Sequence, residues 1–381
     1  MTQGVYIHIP FCEQRCFYCA FTVATTAEST YEPYVDRLIR EIRISGFAEQ
    51  PGSLYLGGGT PSIISSDLLS RVLALFSELH CEVSIEVNPG TVSPEKLRRY
   101  REIGINRISL GAQSLENEDL ERAGRIHRSS AVFDDFAMMR RLGFDNISLD
   151  LIAGLPQQRL EVWRRNLAGV VQLRPEHISI YMLDQEERSA WGKHTPSATA
   201  DDDFVIFYEE ASAHLEAAGY RQYEISNWAM PGAECRHNLG YWTGVPYRGF
   251  GVGAHSYDGT QRFWNTSSLT EYAERIDAGR LPVSGCEILS PQMRIEEAFL
   301  LGLRQTAGFD VRVAAKKLKL EIPTQWISRV HDLQQAGLVD FDGTVLKLTS
   351  NGRLLASSVT EELLWPSPHP TIQSSTFEAT P

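Results

Sequence analysis

The sequence predicts an α/β fold: a parallel sheet wrapped by helices, followed by a smaller, mainly helical unit. Three observations lead there. Short β-type runs alternate with amphipathic helical patterns through the first half of the chain. The alternation stops near residue 225. From Ser290 onward helices return and end in a hairpin signal.

Taken in order, the strand runs are residues 4–9, 53–56, 83–87, 107–110, 147–152 and 177–182. Between them lie helical patterns. Tyr34, Val35, Leu38, Ile39 and Ile42 recur at helical spacing, as do Leu68, Leu69, Val72, Leu73, Phe76 and Leu79. Ser93 followed by Pro94 reads as a cap and a proline in the first turn. Residues 201–218 form a further helix, stopped by Gly219. Six β-α units in series require crossover connections and hence parallel neighbours. Pattern alone leaves barrel, partial barrel and doubly wound sheet open; in all three, ligands gather at the carboxyl ends of the strands. The C-terminal helices are expected over 296–303, 311–318 and 324–336, with a hairpin over 339–348 turning at Asp342-Gly343, a winged-helix-like order. The domain reading is a core over 1–226, a connecting region rich in Trp, Tyr, Asn and Gly over 227–289, a C-terminal domain over 290–365 and a disordered tail rich in Pro, Ser and Thr over 366–381.

Composition narrows the function classes. The 381 residues carry 36 Lys and Arg against 48 Asp and Glu, a net charge of -12, so nucleic acid is not an expected partner and the winged-helix-like end reads as a packing module. No apolar run approaches the roughly 20 residues of a membrane span, and the first residues lack a basic leader. A cytoplasmic protein is expected, with at most transient membrane association.

Three of the six cysteines fall within eight residues, Cys12, Cys16 and Cys19, in the loop after the first strand. A tight cluster in an intracellular chain points to metal rather than disulfides. Structural zinc normally takes four protein ligands, and Phe21 stands where a fourth cysteine two residues after Cys19 would be. Three thiolates suit a 4Fe-4S cluster with one iron left to chelate S-adenosylmethionine (SAM); His8, Cys81 or Cys235 as a fourth zinc ligand is the weaker alternative. Gly57-Gly58-Gly59-Thr60-Pro61 follows the second strand, where missing Cβ atoms let backbone approach a ligand closely. Glu86, Gln113 and Asp150 lie at or near the ends of successive strands, with Arg125 in the next loop. A carboxylate or amide there can hold ribose hydroxyls, and an arginine can pair with the methionine carboxylate.

These stretches, together with Tyr6-Ile7-His8-Ile9-Pro10-Phe11-Cys12, Gly111-Ala112-Gln113-Ser114, Gly124-Arg125-Ile126-His127 and Asp150-Leu151-Ile152-Ala153-Gly154-Leu155-Pro156, resemble the oxygen-independent coproporphyrinogen III oxidase family of radical SAM proteins from residue 4 to about 350. The resemblance implies a partial (β/α)6 barrel with a smaller C-terminal helical domain. It also implies SAM contacts from Tyr6, Phe21, Gly58, Gly59, Thr60, Glu86, Gln113, Arg125 and Asp150. One branch of the family decarboxylates coproporphyrinogen III and has an extra N-terminal segment and a fourth cysteine. The other consists of haem chaperones and has a short start, the phenylalanine and an H-N-x-x-Y-W segment. Here Phe21 and His237-Asn238-Leu239-Gly240-Tyr241-Trp242 fit the second. The expectation is a haem chaperone that carries the cluster and SAM, binds haem through His237, Tyr241 and Trp242 and passes it to an acceptor such as a respiratory enzyme. Cys235 is an alternative haem ligand. Oxidation of coproporphyrinogen III is the competing activity. Read without the resemblance, residues 237–242 are a loop whose histidine bonds the backbone and whose aromatic residues fill the core.

Overall fold

A computed structural model of the chain describes residues 3–364 apart from 77–78, 185, 194–200 and 319–323. Two compact units divide the chain, Met1–Ile288 and Leu289–Pro381.

The first unit is built on six parallel strands in chain order: β1 (Gly4–Ile9), β2 (Ser53–Gly58), β3 (Glu82–Val87), β4 (Arg107–Gln113), β5 (Ile147–Ala153) and β6 (His177–Met182). Their side chains alternate between two environments, as a pleated strand requires. Val5, Ile7, Ile9, Leu54, Leu56, Val83, Ile85, Val87, Ile108 and Leu110 are almost wholly buried. The intervening positions are polar or glycine: Gly4, Tyr6 and His8 on β1, Ser53, Tyr55 and Gly57 on β2, Glu82, Ser84 and Glu86 on β3. One face therefore packs on the crossover helices, and the other is a polar inner face. The helices carry local stop and start signals. Ser65 Oγ accepts from Leu68 N at the start of Ser66–Leu73, and Ser93 Oγ accepts from Lys96 N before Pro94–Glu102. The helix expected to reach residue 79 ends at Leu73, although Phe76 stays buried.

Residues 227–288 depart from the expected connecting region. They belong to the first unit and extend its sheet at both edges. β7 (Arg221–Glu224) and β8 (Asn227–Ala229) join antiparallel beside β6. On the opposite edge β9 (Tyr247–Phe250) pairs parallel with β1, and β10 (His255–Tyr257), β11 (Gln261–Asn265) and β12 (Val283–Ile288) follow antiparallel. The 12-stranded sheet is open, with β12 and β7 at its ends. The H-N-x-x-Y-W segment is a helix, Arg236–Trp242, rather than a loop.

The second unit holds helices Pro291–Gly302, Val311–Leu318 and Thr324–Gln335 and a three-stranded sheet of β13 (Phe309–Asp310), β14 (Val339–Phe341) and β15 (Val345–Leu348), in the order β13-β15-β14. β14 and β15 form the expected antiparallel hairpin. Phe299, Trp326, Leu346 and Leu363 are at its core. The proposed tail over 366–381 lies outside the described residues. No helix among the described residues is long and apolar enough to cross a membrane.

Candidate functional site

The three cysteines sit in a loop that leaves the carboxyl end of β1 and closes on itself. Cys12 N donates to Ala24 O (3.0 Å) and Ala24 N to Pro10 O (2.7 Å). The loop is pinned to the turn before Arg125: Phe17 N donates to Ala123 O (3.1 Å) and Gln14 Nε2 to Gly124 O (3.0 Å). All three thiols are free and half-buried. Burial pushes the Cys12 thiol up to about 11, so taking up iron there releases a proton. Among the described residues, no three His, Cys, Asp or Glu side chains converge as a single metal ion requires. A 4Fe-4S cluster makes a different demand, that each thiolate meet a different iron, and three cysteines on one closed loop fit it.

The neighbouring strand ends meet this loop. Gly59 N donates to Ile9 O (2.8 Å) and Thr60 N to Phe11 O (2.8 Å). A Cβ on Gly59 would lie 2.7 Å from Phe11 O, and one on Gly58, whose φ is +118°, would lie 2.7 Å from the His8 ring. Gly58 and Gly59 are thus required by close approach to β1 and to the start of the cysteine loop. Thr60 Oγ1 donates to Cys12 Sγ (3.5 Å), and Arg125 Nη1 lies 3.5 Å from Cys16 Sγ and from the Tyr18 hydroxyl. Arg125 Nη2 donates to Asn88 Oδ1 (2.8 Å) and to Gly111 O (2.9 Å). Glu86 accepts from Gly58 N (3.0 Å) and from the Tyr55 hydroxyl (3.1 Å). Burial, and secondarily the Asp150 charge, lifts its carboxyl to about 7, with those two hydrogen bonds opposing. Asp150 accepts from Ser109 Oγ (2.8 Å) and Ser148 Oγ (3.0 Å). Tyr6 places its hydroxyl 3.0 Å from His8 Nδ1, while His8 Nε2 lies 2.8 Å from Thr22 O. Gln113 has a left-handed φ of +64°, and its Oε1 is buried with no partner among the described residues. Strained backbone and an orphaned acceptor at a strand end mark a place built to receive a donor, which fits a hydroxyl- and amine-bearing ligand such as SAM. Phe21 is 43% exposed at the edge of the loop.

The haem candidates lie at the opposite end of the same strands. Helix Arg236–Trp242 begins beside Glu82, the first residue of β3, whose carboxylate accepts from Arg236 N (3.1 Å) and His237 N (3.2 Å). His237 is buried. Its Nδ1 is 2.9 Å from Ser53 Oγ at the start of β2, and its Nε2 is 3.0 Å from the Tyr241 hydroxyl. Its ring stacks on Tyr55 at 5.1 Å between centroids. Both ring nitrogens are therefore engaged within the protein, and by side chains rather than backbone. Burial, then the Arg107 charge, lowers its pKa to about 3. Trp242 closes the helix, half-buried. Cys235 is buried, donates to Glu82 Oε1 (3.5 Å) and is pushed up to about 12, mainly by burial; a thiol so held is a poor haem ligand. A cavity of about 360 Å³ opens here, lined by Gly4, Ser53, Arg236, His237, Tyr241 and Tyr247 among others.

The predicted residues are thus divided between the two ends of the sheet. Asn88, Tyr18, Tyr55, Ser53 and Glu82 were not picked out from sequence. Asn88 stands one residue beyond the third strand run, where the strand-end rule applies equally; nothing local signals Ser53 or Glu82.

A model of the radical SAM superfamily matches residues 6–165, and one of the HemN C-terminal domain matches residues 289–355. The heme chaperone HemW of Bacillus subtilis is 36% identical over 375 residues, covering 94% of this chain and 98% of that protein. HemW of Mycobacterium tuberculosis is 35% identical over 377 residues, covering 95% and 94%. Among solved structures, coproporphyrinogen III oxidase (HemN) from Escherichia coli superposes with a TM-score of 0.85 at 24% identity, covering 95% of this chain and 90% of that one. At that identity the superposition speaks for fold alone.

Proposed function

The chain belongs to the radical SAM superfamily and, within it, to the HemW family, and on that premise we propose that it is a haem chaperone with separate ends for cofactor and cargo. Cys12, Cys16 and Cys19 would hold a 4Fe-4S cluster. Tyr6, Phe21, Gly58, Gly59, Thr60, Glu86, Gln113, Arg125 and Asp150 would border SAM. When bound, cluster and SAM together supply one-electron chemistry. This chain's own part is to hold the thiolates on one closed loop, to present Gln113 Oε1 and the Glu86 carboxylate to donors, and to set Arg125 against anionic groups.

Haem would dock in the cavity beside His237, which carries this reading: a histidine with one ring nitrogen fixed by a serine and the other capped by a tyrosine, at the wall of an open cavity. A histidine that ligates iron commonly donates its second N–H to a fixed acceptor, and Ser53 Oγ is placed to accept it. Delivery to a haem-requiring acceptor, such as a respiratory enzyme, in the cytoplasm or at a membrane surface visited transiently, completes the proposal. The relatives named above as heme chaperones support it. The oxidase activity has only likeness of fold behind it.

Anaerobic titration with haem, followed by the visible spectrum, tests the proposal. Saturable stoichiometric binding is expected, with loss of the axial-nitrogen spectrum in His237→Ala. Absence of saturable binding in the wild type overturns it.

A further inference from the structure

Two of the three cysteine sulfurs receive hydrogen bonds from one connected set of side chains, and the direction of each bond follows from donor counting. Arg125 is a donor only. Its Nη2 lies 2.8 Å from Asn88 Oδ1, so that atom is the amide oxygen, and the Asn88 amide is oriented with its NH2 toward Thr60. Asn88 Nδ2 donates to Thr60 Oγ1 at 2.8 Å. That leaves the Thr60 hydroxyl proton free to point at Cys12 Sγ, 3.5 Å away. Thr60 is 3% exposed, so water does not compete for it. The other nitrogen of the same guanidinium, Arg125 Nη1, faces Cys16 Sγ.

From this geometry we infer that Arg125, Asn88 and Thr60 form a relay that sets the reduction potential of the cluster, with Asn88 and Thr60 as positioning residues that act through the Cys12 thiolate. Hydrogen bonds to the sulfurs are among the factors that set iron–sulfur potentials. The reduced cluster carries one more negative charge than the oxidised one, so a proton aimed at its thiolate stabilises the reduced form more. The relay therefore raises the potential and makes the one-electron reduction easier. The inference rests on the cluster assignment and not on haem binding.

The test is an anaerobic redox titration of the reconstituted full chain without SAM, with dithionite as electron donor and the reduced-cluster EPR signal as readout. Iron and sulfide are assayed on every variant. Thr60→Val keeps the side-chain shape and removes the proton. The reduced-to-oxidised ratio at a fixed potential is expected to fall about tenfold, a shift of about 59 mV for one electron. Thr60→Ser restores the hydroxyl and is expected to titrate with the wild type. Asn88→Asp turns the position next to Thr60 into an acceptor, draws the hydroxyl away from Cys12, and is expected to shift the ratio in the same direction as Thr60→Val. Hyperfine spectroscopy in D2O should show an exchangeable deuteron near the wild-type cluster that is missing in Thr60→Val. An iron-loaded Thr60→Val with the wild-type potential overturns the relay. If that variant takes up no iron, an iron-loaded Asn88→Asp with the wild-type potential overturns it equally. A wild-type chain that takes up no iron removes the cluster assignment and the relay with it.

Discussion

Replacing Tyr241 with phenylalanine tests how His237 is kept. In the protein as it stands, Nε2 is 3.0 Å from the Tyr241 hydroxyl and Nδ1 is 2.9 Å from Ser53 Oγ. For haem iron to be taken at Nε2, Nδ1 must carry the proton and donate to Ser53, and the Tyr241 hydroxyl must leave. The lost bond joins two neutral groups and is worth about 1 kcal/mol net. Tyr241→Phe removes that opposing term while keeping the ring, which packs edge-on against His237 at 4.9 Å. Haem binding is therefore expected to tighten by about fivefold. Ser53→Ala acts in the opposite sense, because it frees the ring to rotate and leaves Nδ1–H without its acceptor; binding is expected to weaken by a similar factor. The assay is titration of apoprotein with haem at pH 7.5, read at the Soret band. Burial holds the His237 pKa near 3, so protons do not compete with iron at this nitrogen between pH 5 and 8, and the affinity difference between Tyr241→Phe and wild type should not change over that range. A Tyr241→Phe variant that binds haem no more tightly than wild type refutes the capping role.

The Glu86 carboxyl, lifted from 4.5 to about 7, gives a second test. Between those values the folded state binds more protons than the unfolded one, so stability falls as pH rises through the window. Glu86→Gln, neutral throughout, is expected to be more stable than wild type at pH 8 by up to about 3 kcal/mol, narrowing to under about 1 kcal/mol at pH 5; urea midpoints with the same offset at both pH values would contradict this. Gly58→Ala forces a Cβ to 2.7 Å from the His8 ring at φ +118° and is expected to lose about 1–3 kcal/mol along with most of the reconstituted iron, measured by thermal unfolding and iron content. Tyr55→Phe removes the hydroxyl bonded to Glu86 and keeps the ring stacked on His237, so haem affinity should hold while the Glu86 midpoint, followed by the pH dependence of stability, moves upward.

The parts of the fold legible in sequence are those whose signal is local. Val83, Ile85 and Val87 alternate with Glu82, Ser84 and Glu86 because one face of β3 packs on helices and the other does not, and the six central strands share that pattern. The cysteine loop is legible because its spacing serves ligands on one short segment. The outer strands are not. β8 and β10 have three residues each, and β12 alternates only between half-buried and exposed positions, so neither length nor hydrophobic contrast separates them from loop. The placement of His237 is the least legible feature. Its partners Ser53 and Glu82 are more than 150 residues away, and a polar residue at the start of a strand gives no sign that a helix will land on it. The same holds for the Arg125–Asn88–Thr60 chain, which exists only because β2, β3 and β4 are adjacent in the sheet.

A parallel sheet explains why the proposed cofactor and cargo residues are apart. Every β-α unit delivers its loop to the carboxyl ends of the strands, so the cysteines, Thr60, Asn88 and Arg125 are gathered there whatever their distance in sequence. The amino ends receive the chain only as it enters strands, and they are left to a segment arriving from elsewhere, here helix Arg236–Trp242. Gly4 and Ile9, the two ends of β1, stand roughly 16 Å apart at about 3.3 Å per residue. Between the ends the inner face is closed by rings: Tyr55 stacks on His237 below and on Tyr6 beside it, at 5.1 and 6.3 Å, and its hydroxyl ties to Glu86 above. A haem seated against His237, as proposed, would have these rings between it and the thiolates. If the two sites are as proposed, substitutions at one end would be expected to leave the other in place, and Tyr55, which stacks on His237 and bonds Glu86, is the side chain that joins the two.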